Sequence, residues 1–494
     1  MGGKITRRGF LGAAAAGGVW VVLGGAPGCG PSPRARAIAA PARGERPWAF
    51  RARPDLSPPV VEVTEKANDT APGYIFVAPQ EGDTGQGGSM ILDNRGQVVW
   101  FRPLPGKYGR VMSLEVQSYR GKPVLTWVDT SGEYVILDGS YREIAHFTAA
   151  NGYRGDHHEF LISPQDTALI TIYDAVPWDL SPVGGRKNGV VVQGIVQELD
   201  IESGKVLFEW HSLDHVDIKE SYGKPGEDAD YPGLDYFHIN SIDVDHDDNL
   251  LVCARKTFAV YKIDRKSGEV IWRLGGKRSD FEMGDGARFA YQHDARRQKD
   301  GTITIFDNGT TVFHNNVPEA IEESRGIVLE LEQKMKATLV REYTHPDKQY
   351  AHASGNVQVL PNSNVFIGWG RALHFSEFTK DGELLFDARL PEGNRSYRYF
   401  RFPWSAHPSE RPVAVVERAS EDEVRIYASW NGATEVATWE VIAGPRPDKL
   451  QVQGSVPRNG FETAMLVRTA EPYVAVRSKD RSGRLLGTTE SIKL

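Results

Sequence analysis

The stretch Leu92-Asp93-Asn94-Arg95-Gly96-Gln97-Val98-Val99-Trp100 decides the fold. It reads as an apolar strand end, an acidic residue, a short turn with Asn and Gly, and a second strand carrying an aromatic. The same unit returns at Leu199-Asp200 to Trp210, Ile263-Asp264 to Trp272 and Phe378-Thr379 to Phe386, with looser copies at Leu137-Asp138 and Leu331-Glu332, six in all. Alternating apolar and polar residues on either side of a Gly, Asp or Asn turn is the pattern of half-buried antiparallel strands joined by tight hairpins. Copies spaced by roughly 45 to 70 residues suit four-stranded propeller blades lengthened by loops. The expected fold is all-β, a six-bladed β-propeller over residues 59–408. A pair of β-sandwiches is the other architecture such strands allow.

On the C-terminal side the pattern changes. Val413-Ala414-Val415-Val416, Glu423-Val424-Arg425-Ile426-Tyr427 and Tyr473-Val474-Ala475-Val476 alternate, and Ser429-Trp430-Asn431-Gly432 opens a polar turn before Thr438-Trp439-Glu440-Val441. A small β-sandwich over 409–494, similar to a fibronectin type III or immunoglobulin-like module, is expected from the strand count and one candidate buried Trp. On the N-terminal side, residues 31–58 are rich in Pro, Arg and Ala without periodicity and read as a linker. Residues 1–30 read as a twin-arginine export signal, with Thr6-Arg7-Arg8-Gly9-Phe10-Leu11 ahead of a short apolar stretch. Cys29, after Ala26-Pro27-Gly28, partly fits a lipoprotein cleavage site, so the mature chain is expected in the periplasm or outside the cell, either free or lipid-anchored. No later stretch has the length of apolar sequence that a membrane span needs.

With 494 residues, 40% of them hydrophobic and 25% charged, the chain can bury a large core. A net charge of −7 without basic runs argues against nucleic acid as a partner. The two cysteines, Cys29 and Cys253, leave no expected intrachain disulfide once Cys29 is removed or acylated.

Four of the thirteen histidines stand at equivalent places, a few residues ahead of a turn: His158 in Asp156-His157-His158-Glu159-Phe160, His238 in His238-Ile239-Asn240-Ser241, His293 in Gln292-His293-Asp294-Ala295-Arg296 and His352 in His352-Ala353-Ser354-Gly355-Asn356. Corresponding positions of successive blades point to one end of a propeller channel, so these imidazoles are expected to converge. The bland reading is that they satisfy buried backbone groups. Convergent imidazoles, or Asp156 with His157 and His158, have the donor types of a transition-metal site, but acid–base work is the preferred reading and no metal is assigned.

Gly73-Tyr74-Ile75-Phe76-Val77-Ala78-Pro79, Asp93-Asn94-Arg95-Gly96-Gln97-Val98-Val99-Trp100, Trp272-Arg273-Leu274-Gly275-Gly276, Gln292-His293-Asp294-Ala295-Arg296 and Phe306-Asp307-Asn308-Gly309 resemble the arylsulfotransferase family over roughly residues 60 to 405. The resemblance implies transfer of a sulfuryl group from a phenolic sulfate ester to a phenolic acceptor through a sulfohistidine, with no nucleotide sulfate donor and no cofactor. It also implies His352 as nucleophile by blade order, with His158 in reserve, and His238 and His293 binding or protonating the sulfate. Asn240, Asn308 and Arg255 would complete the substrate contacts. The family's sulfate-binding arginine often follows Asp-Asn-Gly closely; here Thr310-Thr311 and an insertion intervene, so Arg325 either fills that role or is a surface charge. The alternative function is a non-catalytic exported propeller that binds a carbohydrate, a cell-wall fragment or a protein partner.

Overall fold

A computed structural model describes residues 35–38, 47–80, 82–104, 110–227, 233–309, 312–314, 317–319 and 323–494. The export signal, Cys29 and the Thr310-Thr311 insertion lie outside them. Among the described residues, six sheets each contain a run of four antiparallel strands. The first joins Tyr399–Phe402, from late in the chain, to Tyr74–Val77, Gly88–Leu92 and Val98–Pro103. The second is Val111–Tyr119, Lys122–Asp129, Tyr134–Leu137 and Glu143–Phe147. Gly155–Ile162, Thr167–Trp178, Gly189–Asp200 and Val206–His211 form the third, and Ile239–Val244, Leu250–Ala254, Ala259–Ile263 and Val270–Gly275 the fourth. The fifth is His293–Arg297, Ile303–Asp307, Arg325–Glu332 and Lys336–Thr344; the sixth is Asn356–Val359, Val365–Gly368, His374–Phe378 and Leu384–Arg389, edged by Glu62–Glu65. The leading strands of neighbouring sheets touch in sequence, and the sixth returns to the first. The result is a propeller-like all-β fold.

Each repeated sequence unit is the outer hairpin of one sheet, and the acidic residue at the strand end has a physical job. Asp93 Oδ1 accepts the amides of Arg95 and Gln97 at 2.8 and 2.9 Å, Asp138 Oδ1 accepts that of Ser140 at 2.8 Å, and Asp264 Oδ1 accepts that of Ser267 at 2.7 Å. A short side-chain carboxylate thus folds the turn against its own backbone. A register shift falls at the same place in five of the six hairpins, between Ile91 and Leu92 in the first and between Lys262 and Ile263 in the fourth, whereas in the fifth sheet it lies farther from the turn, between Val328 and Leu329.

The buried apolar side chains divide into clusters between adjacent sheets. Met112, Val128, Phe160 and Ile170 fill the gap from second to third, while Leu251, Val260, Ile303 and Ile327 fill that from fourth to fifth. A separate cluster with Trp439, Val441, Ile426 and Met465 lies between two further sheets built from residues 413–493 and Ala35–Ala37. Part of the stretch read as a linker is therefore structured: Ala35–Ala37 pair antiparallel with Met465–Val467, and Phe50 packs on Phe461 at 4.3 Å between centroids. Composition hid this, because a three-residue edge strand leaves no periodicity to read. The C-terminal sheets are fastened to the first sheet by Asn431, whose side chain both accepts from Phe101 N and donates to Phe101 O. Among the described residues no helix is long and apolar enough to cross a membrane.

Where the leading strands meet, the centre holds charge rather than hydrocarbon. Arg398, fully buried just ahead of the closing strand, donates to both oxygens of Glu159 in the third sheet, at 2.9 and 3.3 Å, and to Asn240 O in the fourth at 2.9 Å. Arg296 of the fifth sheet reaches the same carboxylate at 2.6 Å, Ile242 O at 2.6 Å and Asp294 at 2.9 Å, while Asp294 accepts Val357 N of the sixth at 3.1 Å. Burial opposes the charge of Glu159, yet Arg296 and Arg398 hold its carboxyl below the ordinary range. Glu115 of the second sheet goes the other way: burial and the neighbouring Glu159 push it up to about 8.

Removing one partner of such a pair leaves a buried charge uncompensated, so Arg398→Ala should destabilise the fold by about 3–5 kcal/mol, read as a lowered denaturant midpoint. Glu115 gives a pH signature. The folded protein keeps a proton that the unfolded chain has already released above the ordinary carboxyl pKa, so this contribution is full in acid and lost as pH rises through about 8. The unfolding temperature should fall across that window, and Glu115→Gln should flatten the slope; an unchanged slope in calorimetric scans would contradict the protonated state.

Candidate functional site

The four histidines sit at or just before the leading strands of the third to sixth sheets, and the first three of those strands are bulged. Register shifts separate Gly155 from Phe160, Ile239 from Ser241 and His293 from Arg296. His238, Asp294 and Ser354 take φ of +54°, +55° and +67°. Non-glycine residues rarely adopt this conformation, and where it persists the surroundings over-determine it, as often happens at functional sites. Gly355 follows at φ +109°, where a Cβ would lie 2.4 Å from the Phe306 ring, so this bend requires glycine.

Three of the imidazoles meet through rings. His158 and His238 are 5.3 Å apart between centroids, and Tyr397 lies edge-on to His158 at 5.5 Å and to His293 at 6.2 Å. Tyr173 closes the group at 5.2 Å from His158 and 5.5 Å from His238. Arg255 joins the fourth: its amide donates to His238 O at 2.9 Å and its guanidinium to His352 O at 2.9 Å. Its charge acts on His238, His293 and His352 together.

Each ring has its own partner. His158 Nδ1 meets Asp156 at 2.5 Å, and His238 Nδ1 forms a short hydrogen bond with Asp235. Burial weighs against the charge of Asp156, but His158 and His157 hold its carboxyl far below the ordinary range. Asp235 is deeper, and burial pushes it up to about 7 despite Lys256 and Arg255. His238 and His293 are driven well below the ordinary imidazole value by burial and then by Arg255. His293 is buried and donates from Nδ1 to Asn308 Oδ1 at 2.6 Å, so its Nε2 holds the lone pair, which meets Ser354 N at 3.3 Å. Asn308 Nδ2 in turn donates to Ala351 O and Ser354 O at 2.7 and 2.9 Å. Its side chain therefore positions His293 and the His352 loop instead of reaching a substrate. Asn240 donates to Gln292 O at 2.8 Å, and its buried Oδ1 has no hydrogen-bond partner among the described residues.

Two of the expected residues lie apart from this group. His352 is exposed at the rim, where its Nε2 meets Arg371 at 3.2 Å. Arg325 is not brought to the imidazoles: its guanidinium is taken up by Asp307 at 3.0 Å, Glu342 at 2.7 Å and the carbonyls of Gly286 and Arg288. Arg255 is the cation beside the histidines. Asp235, Tyr173, Tyr397 and Arg371 were not singled out in sequence; only the spacing of Asp235 three residues before His238 offered a signal.

Among the described residues two clusters have metal-ligand donor types, Asp156 with His157 and His158, and His345 with His374 and Asp387. The second is satisfied by hydrogen bonds. His345 Nδ1 accepts Asp347 N at 3.1 Å, which puts its proton on Nε2 facing Asp387 Oδ1 at 3.2 Å. His374 Nδ1 at 2.9 Å, Ser376 Oγ at 2.6 Å and Thr64 Oγ1 address the same carboxylate.

A propeller-like all-β protein whose successive sheets bring imidazoles together around one arginine is the class these features define. The family model described as Arylsulfotransferase (ASST) matches residues 115–390, more than half of the chain, and the chain belongs to the arylsulfotransferase family. No curated protein matches. Similar solved structures include a protein of unknown function from Bacteroides caccae, at 13% identity and TM-score 0.41, over 67% of this chain and 100% of that one. Virginiamycin B lyase from Staphylococcus aureus matches at 11% identity and TM-score 0.34 over 82% and 99%. The Dos1 propeller matches at 12% identity and TM-score 0.32 over 85% and 95%.

The tautomer of His293 is directly testable. Long-range proton–nitrogen NMR should show it neutral with the proton on Nδ1 through and below the ordinary imidazole titration range. Asn308→Asp, which places a carboxylate at Nδ1, should raise its pKa by more than about one unit.

Proposed function

We propose that the protein is an arylsulfate sulfotransferase that moves a sulfuryl group from a phenolic sulfate ester to a phenolic acceptor through a sulfohistidine, without a nucleotide donor or a cofactor. The observation that carries this reading is the meeting of His158, His238 and His293, each from a different sheet, with Arg255 acting on the group. The six sheets are read as blades of a six-bladed propeller over 59–408, the C-terminal sheets as a fibronectin III-like sandwich over 409–494, and residues 1–30 as a twin-arginine signal delivering the chain to the periplasm or beyond.

The residues divide the work by their partners. A nucleophilic imidazole must be neutral, with a fixed lone pair. His293 meets both conditions, because Asn308 fixes its Nδ1 proton and burial with Arg255 keeps it uncharged, and its attack on sulfur displaces the Ser354 amide that its Nε2 accepts. His352, the nucleophile expected from blade order, has its Nε2 toward Arg371 at the exposed rim. In the first half-reaction His293 Nε2 attacks sulfur, the S–O bond to the aryl group breaks, and its electron pair leaves on the phenolate oxygen. Arg255 neutralises charge on the transferring oxygens. One of His158 and His238, with Asp156 and Asp235 behind them, passes a proton to the phenolate. In the second half the acceptor phenol gives its proton to one of these bases as its oxygen attacks sulfur, the N–S bond breaks and His293 recovers its lone pair.

Protein quenched after exposure to a chromogenic aryl sulfate alone should carry a sulfuryl adduct of about 80 Da on the peptide containing His293. His293→Asn should abolish both the adduct and chromophore release, whereas His352→Asn should retain the adduct. Labelling of the His352 peptide instead would move the nucleophile there, and neither adduct nor release across a broad donor panel would overturn the transferase reading.

A further inference from the structure

The seam between the first sheet and the C-terminal sheets leaves an open cavity of about 690 Å³, and its lining includes Tyr74, Gln97 and Arg458. Arg458 is half-buried there and held in one orientation: its Nε donates to Gly460 O at 3.1 Å, and its Nη1 forms a short hydrogen bond with Ala433 O. Among the described residues its Nη2 has no hydrogen-bond partner, and no carboxylate comes within ion-pair reach of the guanidinium. Burial lowers its pKa from the ordinary guanidinium value. A cation drawn part-way out of water without a counterion is costly, and an arriving anion offsets that cost.

The three acids of the lining are engaged by their own neighbours. Asp93 accepts from the Arg95 amide at 2.8 Å, from the Arg95 guanidinium at 3.0 and 2.8 Å and from the Gln97 amide at 2.9 Å. Asp480 accepts from Ser482 N and Oγ at 2.9 and 2.7 Å and from Arg484 N and Nε, both at 2.9 Å. Glu435 faces Arg484 at 3.8 Å. Uncharged donors stand beside the cation instead. Gln97 lies against the anchor of Arg458, since a Cβ on Gly460 would be 3.0 Å from Gln97 Oε1. Tyr74 is one residue beyond the pair of Ile75 with Leu92, across from the Asp93 turn. Neither the Tyr74 hydroxyl nor the Gln97 side-chain amide has a hydrogen-bond partner among the described residues.

The strands beside the cavity offer no open edge to a peptide. Tyr74–Val77 is paired on both sides, by Tyr399–Phe402 and Gly88–Leu92, and Thr438–Arg446 by Lys449–Pro457 and Tyr473–Lys479. Recognition therefore falls to side chains, a guanidinium fork for an oxyanion with a hydroxyl and an amide for neighbouring hydroxyl groups. A second cavity of about 500 Å³ shares Tyr74, Asp93 and Arg95 with the first, so there is room past Tyr74 for more than one sugar ring.

We propose that this seam binds an acidic saccharide, with Arg458 pairing a carboxylate or sulfate group and Tyr74 and Gln97 bonding to adjacent hydroxyls. The site lies apart from the histidine cluster, and its test needs no turnover. The full chain is titrated calorimetrically with tetragalacturonate, which carries carboxylates, a carrageenan tetrasaccharide, which carries sulfates, maltotetraose, which carries neither, and tetraglutamate, which has charge without hydroxyls. At least one charged tetrasaccharide should bind at least about tenfold more tightly than maltotetraose and tetraglutamate, and the tighter of the two names the oxyanion. Arg458→Gln should abolish that preference. Because Arg458 also holds two loop carbonyls, Tyr74→Phe and Gln97→Ala supply a second reading: each should weaken binding about fivefold with the unfolding temperature and aryl sulfate turnover unchanged. Equal or absent binding of the charged and neutral tetrasaccharides by the wild-type protein overturns the site. So does a preference that survives Arg458→Gln in folded protein, and tetraglutamate binding as tightly as the saccharides overturns the ligand class.

Discussion

The pairing of Arg398 with Glu159 is the constraint on which the rest of the molecule depends. Both side chains are buried, so each would be prohibitive alone, and they are held by their own pairing with help from Asn240 O and Arg296. The guanidinium spans Glu159 of the third sheet and Asn240 O of the fourth, and Arg296 brings in the fifth. Arg398 immediately precedes the strand that completes the first sheet. The ring therefore closes where its central charge is neutralised, and the neighbouring residue, Tyr397, is the aromatic that touches His158 and His293. Closure of the fold and assembly of the site are one event.

Much of the architecture was legible because it repeats. At Asp93, Asp138, Asp200 and Asp264 the acidic residue at the strand end recurs for one reason, a carboxylate folding its own hairpin, so one copy predicts the others, and in the sixth sheet the Thr379 hydroxyl takes its place. The equivalence of the four histidines followed from the same regularity. What stayed hidden was local to loops or set by distant chain. Asp235 reaches His238 through a short backbone excursion, and Tyr397 reaches the imidazoles from the far end of the ring. Arg325 was misleading because its place after Asp307-Asn308-Gly309 fixes its strand but not its side-chain partners, which are Asp307 and Glu342. The Ala35–Ala37 strand left no trace in composition, since its partner lies more than four hundred residues away.

Hydrogen-bond donors and acceptors also separate two clusters that look alike as lists of residue types. Around Asp387, Thr64, His345, His374 and Ser376 all donate to one carboxylate, which is held far below its ordinary range despite burial. That arrangement ties the fifth and sixth sheets and the Glu62–Glu65 edge strand together. Around the four histidines, carboxylates sit behind His158 and His238, the neutral Asn308 ties His293 to the His352 loop, and Arg255 bridges His238 O and His352 O. The first pattern suits permanent structure, whereas the second suits protons that come and go.

The strand Tyr399–Phe402 pairs with Tyr74–Val77, although more than three hundred residues separate them in the chain. During synthesis the histidine-bearing segments therefore leave the ribosome well before the piece that locks them around a shared centre. A nascent chain that stops short of Tyr397 has its imidazoles but lacks the latch, so the histidine cluster stays incomplete until about four fifths of the chain has been made.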